Sequence, residues 1–183
     1  NTDINFESFQ EIEKMTIVLT KENYLKSFRD HINLDKIQNI VENVISHKKI
    51  LSNQKILIFV SSGRVYTIDP NLLPSGKSNP KSFIFYVESN SNEKIIGILP
   101  YEKNLKCVVA SKFGKGFIAN LNDIQTSQKK GKQLFNLKPG DELIKISDCL
   151  KTHIACVSKN AKLLVFLIKD LPILKKGGGV QLL

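Results

Sequence analysis

The chain has 183 residues, 42% of them hydrophobic, with ten Phe, no Trp, and 27 basic against 17 acidic residues for a formal net charge of +10. At this length one domain buries roughly 70% of its unfolded surface, and no apolar run approaches the ~20 residues of a helical membrane span. The charge attracts polyanions such as nucleic acid or anionic lipid; a solvated lysine surface is the plain alternative, and charge alone does not choose between them.

Taken in chain order, the opening "DINFESFQEI" reads as a short strand or a turn of helix, and the pattern does not decide. No basic-then-apolar leader suggests secretion, and a start on Asn1 with a stop in an apolar stretch reads as a piece of a longer protein. Four stretches then repeat one design: "TIVLTKENYLKSF" from Thr16, "ILIFVSSGRVYTI" from Ile56, "CVVASKFGKGFIA" from Cys107 and "IACVSKNAKLLVF" from Ile154. Each is a β-rich run, a short polar turn and a second β-rich run, the signature of a hairpin. Asn23, Gly63, Gly114 and Asn160 supply the turn freedom, at intervals of 40, 51 and 46 residues.

A second phrase follows each of the last three hairpins: "IDPNLLPSGK", "LNDIQTSQKKGK" and "IKDLPILKKGGG", each leading to an apolar run ("SFIFYV", "QLFNL", "VQLL"). A third, "ENVISH", "EKIIGI" or "ELIKIS", precedes the hairpins from the second onward. The unit is about four strands with a basic-glycine link before the last. After the first hairpin, "RDHINLDKIQNIVEN" carries spaced aliphatics and no glycine. Short strands at this period with almost no helical periodicity mean a radial or solenoid β architecture. The modules span about 11–53, 54–101, 102–150 and 151–183, the last cut short.

Few motifs point to chemistry. "SGKS" at Ser75–Ser78 resembles the end of a P-loop, but Asn71 stands where that motif needs glycine, and Asn79-Pro80 would stop the required helix. His31, His47 and His153 have no ligand-spaced neighbours, and Cys107, Cys149 and Cys156 lack C-x-x-C spacing, so no metal or catalytic site is expected. Reduced, structural cysteines fit a cytoplasmic protein. Asp69, Asp123 and Asp170 recur as turn residues of the Asx type.

The basic-glycine links are different. Glycine lets backbone approach a phosphate closely, and lysine supplies charge without fixed recognition geometry. Repeated once per module, such links would line one rim of a disc and form a curved positive track for duplex DNA, where phosphate neutralisation supplies affinity and bending must be offset along the path. The expected contacts are Lys26, Arg29, Arg64, Lys77, Lys112, Lys115, Lys129, Lys130, Lys132, Lys175 and Lys176. The competing class is a propeller-like protein-interaction module whose lysines only keep it soluble.

With the repeat laid out, "MTIVLTKENYLKSF", "FVSSGRVYTIDPNLLPSGK", "KFGKGFIANLNDIQTSQKKGKQLFNL" and "VFLIKDLPILKKGGGVQLL" resemble, in order and from about Met15 onward, the C-terminal domain of the topoisomerase IV A protein (ParC) and its gyrase relative. The resemblance implies an all-β fold, a β-pinwheel: a propeller-like disc of about four four-stranded blades that exchange strands, here incomplete or open. Ile17, Leu19, Leu57, Phe59, Val108, Val165 and Phe166 would fill its core. It also implies a DNA-bending accessory role, a parent enzyme of two A and two B subunits that uses ATP and Mg2+ bound elsewhere, and no cofactor in this chain. The implied place is the nucleoid-associated cytoplasm without membrane insertion, with peripheral membrane association of the parent as the variant.

Two departures matter. Gyrase carries a glutamine-arginine-glycine-rich box after the first hairpin, where this chain has "RDHINLDKIQNIVEN", and that favours topoisomerase IV. The family has five or six modules, whereas four are read here. Tyr24, Tyr66, Tyr86 and Tyr101 follow Asn23, Val65, Phe85 and Pro100 rather than the arginine that precedes the family's cleavage tyrosine. No catalytic residue is expected.

Overall fold

Each polar turn closes an antiparallel hairpin. In this computed structural model, which describes residues 11–90, 92–148, 153–157, 163–167 and 171–182, β1 (Lys14–Thr20) pairs with β2 (Tyr24–Arg29), β4 (Ile56–Val60) with β5 (Arg64–Ile68), β8 (Lys106–Ser111) with β9 (Lys115–Asn120), and β12 (His153–Val157) with β13 (Leu163–Leu167). Asn23, Gly63 and Gly114 take the left-handed backbone that these turns need, with φ of 64°, 83° and 81°. Asn160 lies outside the described residues.

The remaining strands reveal how the repeat is connected. β3 (Val44–Leu51) pairs with β1, β7 (Ile95–Pro100) with β4 and β11 (Leu143–Asp148) with β8. The phrase that precedes a hairpin in sequence therefore belongs to the hairpin before it. A fourth strand arrives from further along: β6 (Lys81–Ser82) on β2, β10 (Lys132–Gln133) on β5 and β14 (Val180–Gln181) on β9. The result is three four-stranded sheets ordered β3-β1-β2-β6, β7-β4-β5-β10 and β11-β8-β9-β14, plus the β12–β13 pair. Strands β3, β7 and β11 contact one another in turn, so they are the inner strands and the exchanged pieces lie outermost. This is the radial β architecture that the repeat predicts, in the pinwheel form that the resemblance implies.

Side-chain alternation explains why the blades stack. Met15, Ile17 and Leu19 of β1 share a core with Ile56, Ile58 and Val60 of β4. Leu57 and Phe59, on the other face of β4, join Cys107 and Val109 of β8. Each central strand is buried along nearly its whole length because both faces are covered. Ile17, Leu19, Leu57, Phe59 and Val108 are buried as expected; the side chains of Val165 and Phe166 lie outside the described residues. On the face of blade one turned away from blade two, Val18 and Phe28 pack against Ile37 and Val41. Ile37 belongs to α1 (Leu34–Gln38), a short helix inside the glycine-free segment.

The exchanged strands are shorter than their apolar runs suggest. "SFIFYV" contributes only its first residue, Ser82, to β6; Phe83–Phe85 is a 3-10 turn. All three exchanged strands hold two residues, and what differs between blades is the path that follows. In blade two, the Leu134 and Phe135 N–H groups both donate to Gly63 O at 3.0 Å, and a Cβ on Gly63 would lie 2.4 Å from Phe135 O. The incoming chain crosses directly over the hairpin turn because no side chain stands there. Phe135 is then 1% exposed and packs against Phe117 with the rings tilted by 47° and their centroids 5.0 Å apart. In blade one the same turn holds Asn23, whose side chain accepts a hydrogen bond from Ile95 N. The chain turns aside after Phe83, leaving Ile84 49% and Phe85 74% exposed.

Gly63 and Gly76 both have positive φ, but nothing lies within 4 Å of a Cβ on Gly76. Gly76→Ala is therefore expected to cost only the conformational term of about 1 kcal/mol. Gly63→Ala adds a backbone collision and is expected to cost about 2–3 kcal/mol more. Urea denaturation midpoints of the two variants, compared with the parent chain, measure the difference; equal losses would show that the exchanged strand does not depend on the missing Cβ.

Candidate nucleic-acid interface

Each basic-glycine link runs outward along the second strand of the preceding blade before entering that blade as its fourth strand. In link one, Asp69 Oδ1 accepts the Asn71 N–H at 3.0 Å and caps a 3-10 turn, Pro70–Leu72. Ser27 N of β2 then donates to Pro74 O at 2.9 Å. In link two the cap is Asn120, which accepts the Asn122 N–H at the start of α2 (Leu121–Ile124). Asp123, aligned with Asp69 by its spacing to glycine, sits inside the first turn of α2 instead, which corrects that alignment; Asp170 lies outside the described residues. Thr126 N donates to Thr67 Oγ1 of β5 at 3.1 Å. Link three is held by Ile118 N to Pro172 O, 2.9 Å, and Leu174 N to Ile118 O, 2.8 Å.

The glycines do something other than approach phosphate. A Cβ on Gly131 would lie 2.4 Å from Val65 O and 2.8 Å from the Tyr66 ring, and one on Gly179 would lie 2.7 Å from Gly116 O. Both seat the incoming strand against its host blade. Only Gly76, with φ of 62°, faces open space.

The expected contact residues divide accordingly. Lys77, Lys129, Lys130, Lys132, Lys175 and Lys176 are exposed on the three links or at the strand that follows. Lys132, Lys175 and Lys176 converge on one groove with Asp123 and Gln133, so links two and three meet there. Lys132 Nζ donates to Asp123 O at 3.1 Å, and Arg64, half-buried at the start of β5, donates from Nη1 to Lys130 O at 2.8 Å. Arg64 thus braces link two. Lys112 is exposed in the turn between β8 and β9, and its N–H donates to Glu142 O. Arg29 sits at the far end of β2 from β6, in a hollow shared with Glu11, Glu13 and Asp30, away from the links.

Lys26 is a correction. Its sequence position predicts a phosphate contact, but it is 1% exposed, and its ammonium donates to Gly76 O at 2.7 Å and to Ser78 O. It also sits 5.1 Å from the centre of the Phe28 ring. Burial pushes its pKa down from the ordinary lysine value.

Two lysines join the set that sequence reasoning passes over. Lys81 pairs with Leu25 as Lys132 pairs with Val65; aligning the residue before each apolar run would have found it. Lys138 lies beside Lys115, and no local signal marks it. Hydrogen bonding and repulsion from that neighbouring ammonium lower the Lys115 pKa. Removing the neighbour by Lys138→Gln is expected to raise the Lys115 pKa toward the ordinary lysine value. Heteronuclear NMR titration of the side-chain nitrogens reads this directly; an unchanged value would place the two ammonium groups apart.

Among the described residues no group of His, Cys, Asp and Glu is arranged to hold a metal ion, and no helix is long and apolar enough to cross a membrane.

The family described as DNA gyrase C-terminal domain, beta-propeller, matches residues 106–149 and 152–183. The A subunit of DNA topoisomerase 4 from Rickettsia bellii is 33% identical over 186 residues, covering 100% of this chain and 25% of that protein. The chain thus spans about a quarter of the length of such curated relatives. Among solved structures, the Escherichia coli ParC C-terminal domain superposes with a TM-score of 0.79 at 26% identity, covering 92% of this chain and 71% of that one. A DNA gyrase A C-terminal domain does so with a TM-score of 0.64 at 17% identity, covering 92% and 59%; this likeness speaks to the fold. The exchanged-strand blades, the basic links and these matches agree: the chain belongs to the family of C-terminal β-pinwheel domains of the topoisomerase IV and gyrase A proteins.

Proposed function

We propose that the chain binds duplex DNA on its outer edge, with little sequence preference, and bends it. The observation that carries this is the placement of a lysine-bearing link at the outermost position of three successive blades. Lysines also occur on the inner strands, Lys48, Lys49 and Lys145 among them, but the groove there mixes Ser46, Lys48, Ser147 and the acidic Asp148 with Ile45, Ile96 and Ile98 and, among the described residues, carries no repeated lysine cluster. A phosphate backbone following the rim would meet Lys77 and Lys81, then Lys129, Lys130 and Lys132, then Lys175 and Lys176. Such contacts position a duplex without reading its bases.

In this reading the parent is an ATP-dependent, Mg2+-using type II topoisomerase of two A and two B subunits, working on DNA in the nucleoid-associated cytoplasm. The domain directs substrate choice in relaxation and decatenation for chromosome segregation, while the cleavage chemistry lies elsewhere in the parent protein. The curved basic edge raises the local concentration of a second, suitably crossed duplex, and a preference of about 1.4 kcal/mol already gives tenfold discrimination. Helix α1 stands where gyrase carries its glycine-basic box, which favours an enzyme that does not introduce negative supercoils.

Neutralising Lys129, Lys130 and Lys132 together is expected to weaken duplex binding and to flatten the log–log salt dependence by about one unit for each phosphate that no longer meets a lysine. Unchanged affinity and slope would remove link two from the track. The reconstituted parent enzyme without this domain is expected to keep cleavage and religation but lose preference among DNA substrates. ATP-dependent negative supercoiling by the intact enzyme would return the chain to gyrase.

A further inference from the structure

We infer that the Ser75–Asn79 loop is a preformed seat for one phosphate of the DNA backbone, and that buried Lys26 is the positioning residue that builds it. The inference rests on the proposed duplex binding and deepens it. In β2, β5 and β9 the third residue is Lys26, Tyr66 and Phe117 respectively. Two blades therefore use an aromatic ring at this buried position, and the first buries a charge, which needs compensation. Compensation comes from the link: the ammonium draws the Gly76 and Ser78 carbonyls inward.

That inward pull fixes what faces outward. In a trans peptide the C=O and the following N–H point in opposite directions, so the Lys77 and Asn79 N–H groups point away from Lys26. Neither donates to an acceptor among the described residues. Ser78 N closes the turn onto Ser75 O at 3.1 Å, so the loop is not simply extended. Gly76 offers no Cβ on the open side, and Ser75, Lys77 and Ser78 are all exposed there. Two free amides, an ammonium-bearing side chain and two exposed serines thus share one five-residue turn and can serve as donors to an anion, with the fixed Lys26 charge behind it strengthening the outward potential. A tetrahedral dianion or a phosphodiester has the matching chemistry, and the neighbouring Lys81 extends the seat toward the rest of the track. The motif resembles the end of a P-loop in sequence, yet no helix is involved.

Duplex binding by the 183-residue chain across a salt series tests this with four proteins: wild type, Lys26→Met, Lys77→Ala and the double variant. Each single variant is expected to reduce the salt slope by about one unit, and the double variant by no more, because both disable the same phosphate contact. An unchanged slope in Lys26→Met would make that lysine a core residue alone, and additive losses would make it a separate contact; either result overturns the seat. Gly76→Asn keeps the left-handed backbone and leaves Lys26 in place, yet fills the approach, so it should weaken binding; wild-type affinity would overturn the proposal. The Lys77 and Asn79 amide resonances should move on adding duplex and much less with inorganic phosphate at equal phosphate concentration. Equal movement with both would assign the loop to a free anion and overturn its place on the DNA track. If the wild-type chain fails to bind duplex at all, the broader reading falls; if it binds and the variants match it, only the seat falls.

Discussion

The fold depends on places where no Cβ is tolerated. Each blade is completed by a strand that belongs, in sequence, to the blade after it, and that strand must cross a hairpin turn or lie against a host strand at backbone distance. Gly63, Gly131 and Gly179 are the points of approach, with carbonyl oxygens 2.4–2.7 Å from where a Cβ would stand. Once the strand is seated, its apolar residues close the core between blades: Leu134 and Phe135 join Phe59, Val65 and Phe117. The links inherit their positions from this requirement. Lysines in free loops would adopt many arrangements; lysines on a link pinned at both ends recur at a fixed radius, and a repeating polyanion is recognised through such regular spacing rather than through any single pair.

Blade one shows the consequence of changing that residue. With Asn23 in place of glycine, the incoming chain still pairs over two residues and donates Phe83 N–H to Asn23 O at 3.1 Å, but it then enters a 3-10 turn that exposes Ile84 and Phe85. Its link is secured by another means, the Lys26 ammonium against two carbonyls. A steric fit in blade two, between Gly131 and the Tyr66 ring, is replaced in blade one by a charge-assisted one. The two solutions leave different surfaces: the glycine of link two is turned into the protein, whereas Gly76 is turned to solvent.

The hairpins were legible because turn chemistry and two flanking apolar runs are local signals. Strand exchange was legible only through the resemblance, since β6 holds two residues and pairs with Leu25 and Tyr24 more than fifty positions earlier. Nothing in a two-residue segment specifies such a partner; the host blade does. The burial of Lys26 was illegible for a related reason. "YLKSF" alternates as an edge strand with an outward lysine would, and only the arrival of link one over β2 turns that position inside. Asp123 misled because offset to glycine is a weaker guide than the end of a strand, which is where Asp69 and Asn120 both stand.

The first module's missing link has a structural reason as well as a family one. A link exists to carry the chain back to the preceding blade. Blade one has no predecessor among the described residues, so the segment after β2 has no sheet to rejoin. It folds instead as α1, with Ile37 and Val41 laid over Val18 and Phe28 on the outward face. That face is the one another blade would need, and seating a blade there would require α1 to leave. Among the described residues, α1 thus covers an apolar face of blade one that would otherwise be bare. On the far side of blade three, Val108, Ile118, Leu171 and Leu182 form a separate small cluster. The two ends of the described stack therefore differ: a helix covers one, and the strand β9 with the third link forms the other.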